Sequence, residues 1–324
     1  MYADARKDIF GAFARGFAPR QHLTVSQWAD LNIVLSTKES AEAGPWRTGR
    51  NPLLREPMDC MSARSNVRTL VLKWPIQMGK TTIMSIGQAY RMVEKPGPQL
   101  VITATDHLRE KLVDQKFNPL YENPPIKAVL KTSNSRDSAN RRFFKDFLGG
   151  QVFFEHAANA ARLKMISVRD IFCDETSAIV LALGSGDNAF MQLTGRISAF
   201  PSTSLEVYAS SPGIEGYCQI TKLYEASDQR RNHVPCPHCL KGQSLEWDNF
   251  KYDHDGHAWY VCGHCDLAID EKHKAEAIRA GRWVPAHPNV KARGYTCNCL
   301  YYPIGLGPRW AALAAMWREA TQAV

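Results

Sequence analysis

The sequence has no long hydrophobic run: its apolar stretches are as short as Ile171-Phe172-Cys173 and Val180-Leu181-Ala182-Leu183. A bilayer-spanning helix needs roughly 18 apolar residues, so a membrane protein is not expected. The opening MYADARKDIFGAFARGF has no uninterrupted apolar core, which argues against a secretory leader. Internal repeats and low-complexity tracts are also missing. At 44% hydrophobic and 22% charged residues, neither disorder nor a collagen-like chain fits. Cysteine, by contrast, is plentiful at 9 in 324 residues. With an odd count and no leader, metal binding is a better prior than a disulfide framework. Lys and Arg outnumber Asp and Glu by 40 to 32, a net charge of +8, which weakly favours a polyanionic partner.

The chain divides by pattern. Residues 1–60 read as an N-terminal arm with short helices, Thr24 and Ser26 being candidate caps, interrupted at Gly44-Pro45 and Asn51-Pro52. Residues 61–230 alternate strand and helix: strands at 67–73, 100–104, 151–154, 170–173 and 205–209, helices at 81–93 and 106–117. That alternation predicts an α/β domain with a parallel sheet. Residues 133–145 are polar and basic and read as an exposed loop or helix. Residues 231–295 carry paired cysteines and many histidines and read as a small metal-stapled insert. Residues 296–324 read as a linker.

Within the α/β part, Lys73-Trp74-Pro75-Ile76-Gln77-Met78-Gly79-Lys80-Thr81-Thr82 lies between a predicted strand and a predicted helix. Gly-Lys-Thr at such a junction is the end of a phosphate-binding loop. Gly79 lets the backbone approach phosphates, and the amides and helix start face the anion. Lys80 can reach the β- and γ-phosphates, Thr81 can ligate Mg²⁺, and Lys73 adds charge. The first glycine of the usual GxxxxGK[ST] is absent: position 74 is Trp. The bland reading is a helix start with an exposed lysine. Downstream, the apolar strand Ile171-Phe172-Cys173 ends in Asp174-Glu175, an order in which the Asp holds Mg²⁺ and the Glu activates water. Asp170 reads as structural. Ser210-Ser211, at the end of a later strand, can sense the γ-phosphate, although Ser-Ser-Pro-Gly is also an ordinary turn.

Cys236-x₂-Cys239 and Cys262-x₂-Cys265 have the spacing of two zinc knuckles, which together make a closed Cys₄ structural site. His238 and His264 are expected to face solvent, and His233, His254 and His257 are weaker ligand candidates. Cys297 and Cys299, one residue apart, would point to opposite faces of a strand and so not share a metal. Cys60, Cys173 and Cys218 read as buried fillers.

Taken together these pieces resemble the phage terminase large subunit of the GpA, lambda-like type. Ser26-Gln27-Trp28-Ala29-Asp30, Gly44-Pro45-Trp46-Arg47-Thr48 and Pro52-Leu53-Leu54-Arg55-Glu56-Pro57-Met58-Asp59 look like its arm. Gln77 to Thr81 look like its atypical Walker A, Cys173-Asp174-Glu175 like its Walker B, and Gly195-Arg196 and Ser210-Ser211-Pro212 like its later motifs. Ser227 to Arg230 and the two Cys knuckles look like its Cys-rich insert, and Gly281-Arg282-Trp283 follows as it often does in the family. The likeness runs from about residue 24 to 317.

The resemblance implies a RecA/terminase-like P-loop NTPase with a zinc-ribbon-like insert, using ATP, Mg²⁺ and structural Zn²⁺. It implies an ATPase motor that packages double-stranded DNA into a procapsid, with a small terminase subunit, a portal protein and further copies of itself as partners. The setting would be the cytoplasm of an infected or lysogenic bacterium. Glu175, Asp174 and Lys80 would be catalytic, Lys73 and Gln77 to Thr82 would bind ATP, Ser210 or Ser211 would couple, and Thr81 and Asp174 would hold Mg²⁺. The family's acidic nuclease domain has no counterpart here, since past Glu276 only Glu319 is acidic, and the expectation is a truncated chain. Another P-loop DNA translocase or helicase, or an inactive zinc-containing DNA-binding prophage remnant, are the alternatives. Arg136, Arg141, Arg142 and Arg196 are arginine-finger candidates, the first three also fitting a basic face on DNA phosphates.

Overall fold

The computed structural model describes residues 22–38, 40, 42–131, 140–157, 166–183, 195–213 and 218–322. The arm opens with α1 (Val25–Asn32), capped by Thr24, whose hydroxyl accepts from the Gln27 amide while the Gln27 side chain accepts from the Thr24 amide. This reciprocal box settles the cap on Thr24 and leaves Ser26 buried inside the helix. Trp28 meets Tyr90 edge-on at 5.6 Å, so α1 packs on the main domain.

The main domain begins with β1 (Thr69–Lys73), α2 (Lys80–Glu94), β2 (Gln99–Thr103) and α3 (Asp106–Leu112), which continues as a wider turn over Val113–Phe117. Next come β3 (Phe144–Phe147), β4 (Gly150–His156), β5 (Asp170–Asp174), α4 (Thr176–Leu183), β6 (Leu205–Ser210) and α5 (Gln219–Glu225). Every residue of β2 and β5 is buried, the mark of strands covered on both faces.

Beyond α5 the chain returns to the same sheet with β7 (Arg230–Pro235). It then builds a separate three-stranded sheet of β8 (Phe250–Tyr252), β9 (Ala258–Val261) and β10 (Ala268–Asp270). β11 (Arg282–Val284) pairs antiparallel with β7, and β12 (Arg293–Thr296) lies between β7 and β1. Helix α6 (Trp310–Gln322) closes the described chain and packs on β9. Along the main sheet the order is β7-β12-β1-β6-β5-β2-β4-β3, parallel from β7 to β4 and antiparallel at β3. The sheet therefore does not stop at residue 230. Tyr295 is fully buried and Gly294 lies against Ser227 without room for a Cβ, so β12 is locked in beside β1.

Beneath the sheet, Asp170 accepts from Arg91 Nε at 2.9 Å and Arg91 Nη2 at 2.6 Å, with Arg169 as a second partner. Both Arg91 and Asp170 are buried, so Asp170 is a structural acid, as its place ahead of the apolar run predicted. No helix among the described residues is long and apolar enough to cross a membrane.

Candidate functional site

β6 separates β1 from β5, and the register sets Ser210 opposite Lys73 and Ala209 opposite Asp174. The turns leaving the carboxyl ends of these three strands consequently converge, the usual ligand crevice of an open parallel sheet. Gly79, at φ 86°, ends the loop after β1 and starts α2. A Cβ there would sit in ordinary contact with Leu54 at 3.6 Å, so the glycine is required by the left-handed backbone and not by crowding.

Lys80 is buried, and its ammonium donates to the Trp74 carbonyl (3.2 Å), the Pro75 carbonyl (2.9 Å) and Ser211 Oγ (3.0 Å). Burial lowers its pKa, opposed by the charges of Glu175 and Asp174. The Thr81 hydroxyl spans both Asp174 oxygens at 3.0 and 3.1 Å. Burial pushes the Asp174 carboxyl up to about 6, and the neighbouring Glu175 charge adds to this, while Thr81 and Lys80 pull it down. Two adjacent acids facing one lysine and a hydroxyl suit a hard divalent cation, which would repay the desolvation of Asp174. Glu175 itself sits at φ 53° and accepts from Ser210 Oγ at 3.4 Å. Lys80, Thr81, Asp174, Glu175, Ser210 and Ser211 are thus brought together.

The other loop residues divide. Met78 is buried and Gln77 is exposed at φ 59°, so their backbone amides, not their side chains, belong to the loop. Thr82 is half-buried in the first turn of α2. Lys73 turns elsewhere: its ammonium lies 5.3 Å from the centre of the Tyr224 ring. Among the finger candidates, Arg136 lies outside the described residues. Arg142 is tied to Glu110 on α3 and Asp114 in the turn that continues it.

Trp74 stands where the first loop glycine is expected. Its side chain is fully buried and stacks on Trp283 of β11, with ring centres 6.1 Å apart and planes 6° from parallel. Trp283 in turn donates to the Leu53 carbonyl at 3.2 Å and meets Tyr295 edge-on. Position 74 therefore points away from the phosphate side and into the core. Restoring the familiar glycine with Trp74→Gly is expected to cost about 3–5 kcal/mol of stability, the range for emptying a buried aromatic site. Denaturant titration checks this, and an unchanged midpoint would show that the stack carries no weight.

Cys218 is buried like Cys60 and Cys173, but it is more than a filler. Its sulfur accepts from the Gly213 amide at 3.0 Å and meets Ser177 Oγ at 3.2 Å, tying the turn after β6 to the helix after Glu175. Burial raises its thiol pKa, but the bonds from Ser177, Gly213 and Thr221 outweigh that and bring it down to about 7. Gly213 and Thr221 are near neighbours of Cys218 in sequence, but Ser177 lies 41 positions away, so nothing in the local sequence announces that contact.

Remote from that crevice, the sulfurs of Cys236, Cys239, Cys262 and Cys265 all lie within 4.8 Å of one another. The cross pairs Cys236–Cys265 and Cys239–Cys262 are 3.9 and 3.8 Å apart. A tetrahedron with zinc–sulfur bonds of about 2.3 Å has edges of about 3.8 Å, so the donor set fits that ion. The two knuckles repeat each other. Leu240 and Asp266, each just after a second cysteine, have φ 60° and 57°. Amides of His238 and His264 reach Cys236 and Cys262 at 3.4 Å each. His238 and His264 are exposed, as expected, yet each ring nitrogen meets a carbonyl of the opposite knuckle, Ala268 at 3.0 Å and Gly242 at 3.3 Å.

A parallel sheet with Gly79-Lys80-Thr81 after one strand and Asp174-Glu175 at the end of another, one strand between them, defines a P-loop nucleoside triphosphatase domain. The family model for the phage terminase large subunit gpA, ATPase domain, matches residues 40–283, and the chain belongs to that family. It is 27% identical over 306 residues to the terminase large subunit of Enterobacteria phage P21, covering 88% of this chain and 46% of the relative. The lambda terminase large subunit is 24% identical over 264 residues, covering 77% of this chain and 40% of the relative. The chain thus spans a little under half the length of these curated relatives. The Thermus phage P74-26 large terminase ATPase domain aligns at 12% identity with a TM-score of 0.43, covering 81% of this chain and 85% of that one.

Proposed function

We propose that this chain is the ATP-hydrolysing part of a packaging motor that drives double-stranded DNA into a procapsid. The single observation that carries the reading is the meeting of Thr81 with Asp174 beside Lys80 and Glu175, in a chain of the terminase ATPase family. Lys80 leaves its loop carbonyls for the β- and γ-phosphates, and the amides of Gln77 to Thr82 cradle them. Thr81 and Asp174 would hold Mg²⁺, which when bound would supply charge neutralisation on the phosphates. Glu175 takes the proton of the attacking water. Ser210 and Ser211, bonded to Glu175 and Lys80, report the state of the site along β6. Lys73 contributes to the field of the site from beside Tyr224.

The unit that does this is residues 61–230 completed by β7 and β12, with the arm of residues 1–60 laid over it. The part between β7 and β12 is a zinc-stapled subdomain. DNA, a small terminase subunit, a portal protein and copies of the same chain are the partners, in the host cytoplasm.

The test is a titration of the full chain with a fluorescent ATP analogue and Mg²⁺, followed by phosphate release with and without duplex DNA. Lys80→Ala is expected to weaken binding at least tenfold, in line with losing a charge-assisted contact to phosphate. Absence of binding by the unaltered chain would favour an inactive DNA-binding remnant, and strand displacement would favour a helicase.

A further inference from the structure

We infer that the segment from Thr296 to Tyr302 braces the phosphate loop from outside, with Tyr302 and Thr296 as positioning residues for nucleotide binding; this rests on the proposed nucleotide site. Four successive carbonyls of the loop have a named donor. Thr296 Oγ1 donates to the Lys73 carbonyl at 3.0 Å and Tyr302 OH to the Ile76 carbonyl at 2.7 Å. Between them, Lys80 takes the carbonyls of Trp74 and Pro75. The inner pair is lost whenever Lys80 moves to a phosphate, whereas the outer pair does not involve Lys80 and persists.

The brace acts where the loop most needs it. Gln77, immediately after Ile76, is a non-glycine residue at φ 59°, a conformation that survives only when its surroundings over-determine it. The usual glycine is also absent at position 74, so this loop cannot rely on a flexible backbone to find its shape. Its shape is imposed by neighbours: Trp283 holds the Trp74 ring and Tyr302 holds the backbone two residues on. Tyr302 is itself fixed, being buried, with Gly307 so close that a Cβ there would come within 2.6 Å of the ring. The segment starts at the end of β12, which pairs parallel with β1, so brace and loop leave the carboxyl ends of adjacent strands side by side.

The experiment compares Tyr302→Phe, Thr296→Val and Thr296→Ser in the full chain. A fluorescent ATP analogue with Mg²⁺ is the probe, and Kd, kcat at saturating ATP and the thermal midpoint are read. Tyr302→Phe and Thr296→Val are each expected to raise Kd by about three- to tenfold, the worth of one hydrogen bond, with kcat unchanged and the midpoint lowered by no more than a few degrees. Thr296→Ser, which keeps the hydroxyl, is expected to restore wild-type Kd. Unchanged Kd in the first two variants, or a Kd change accompanied by equal loss of midpoint and kcat, would overturn the brace. If the unaltered chain fails to bind the probe, the nucleotide site itself falls, a result distinct from both.

Discussion

Replacing Glu175 with Gln is expected to lower ATP turnover by about 10²–10⁴-fold, the range for removing a general base, while leaving ATP binding intact. The substitution is nearly isosteric, and its amide oxygen can still accept from Ser210, which bonds Glu175 at 3.4 Å. Glu175 also occupies a left-handed backbone at φ 53° directly after a fully buried strand. Such strain costs about 1–3 kcal/mol and persists where the surrounding fold enforces it, so the carboxylate is aimed by the sheet and not by chance. Phosphate release under single-turnover conditions, with Kd for the ATP analogue measured in parallel, decides the matter. Normal turnover in Glu175→Gln would move the base elsewhere.

Loss of the four-cysteine site is the other large effect. The chain is expected to purify with one zinc ion, and Cys262→Ser or strong chelation is expected to unfold the subdomain between β7 and β12. Structural zinc binding in small modules is worth about 10–16 kcal/mol near neutral pH, far more than three short strands can supply by packing. Because the ligands bind as thiolates, zinc affinity falls as pH falls and protons compete for the sulfurs. The damage should reach the phosphate loop, since Trp283, on β11 within this part of the chain, stacks on Trp74. Elemental analysis, limited proteolysis and the thermal midpoint measure this. Metal-free protein with an unchanged midpoint and cleavage pattern would sink the assignment.

Much of the candidate site is legible in the chain because its parts are local. Gly79-Lys80-Thr81 needs only a strand before it and a helix after it, and Asp174-Glu175 only a strand that ends there. The cysteine knuckles are likewise short turns whose geometry is set by spacing. The segment after residue 295 is the opposite case. Read as a linker, it instead follows a strand in the middle of the main sheet and reaches the phosphate loop. β12 is four residues long and its partner lies more than two hundred positions away, so no periodicity in one segment marks the pairing. For a related reason, the place of Lys73 beside the loop in sequence did not reveal that its ammonium lies against the Tyr224 ring.

The sequence by itself determined the chemistry on offer: a lysine and threonine for phosphate and metal, an acid pair on a buried strand, and four thiols at knuckle spacing. Those follow from residue type and short-range geometry. Only the tertiary structure decided that Ser210 stands between the loop and the acids, and that a tryptophan can replace the first glycine. The physical reason is that both depend on strand order. With β6 between β1 and β5, Ser210 falls between the two motifs. With β12 beside β1 and β11 held on β7, the tryptophan has an aromatic partner to bury against.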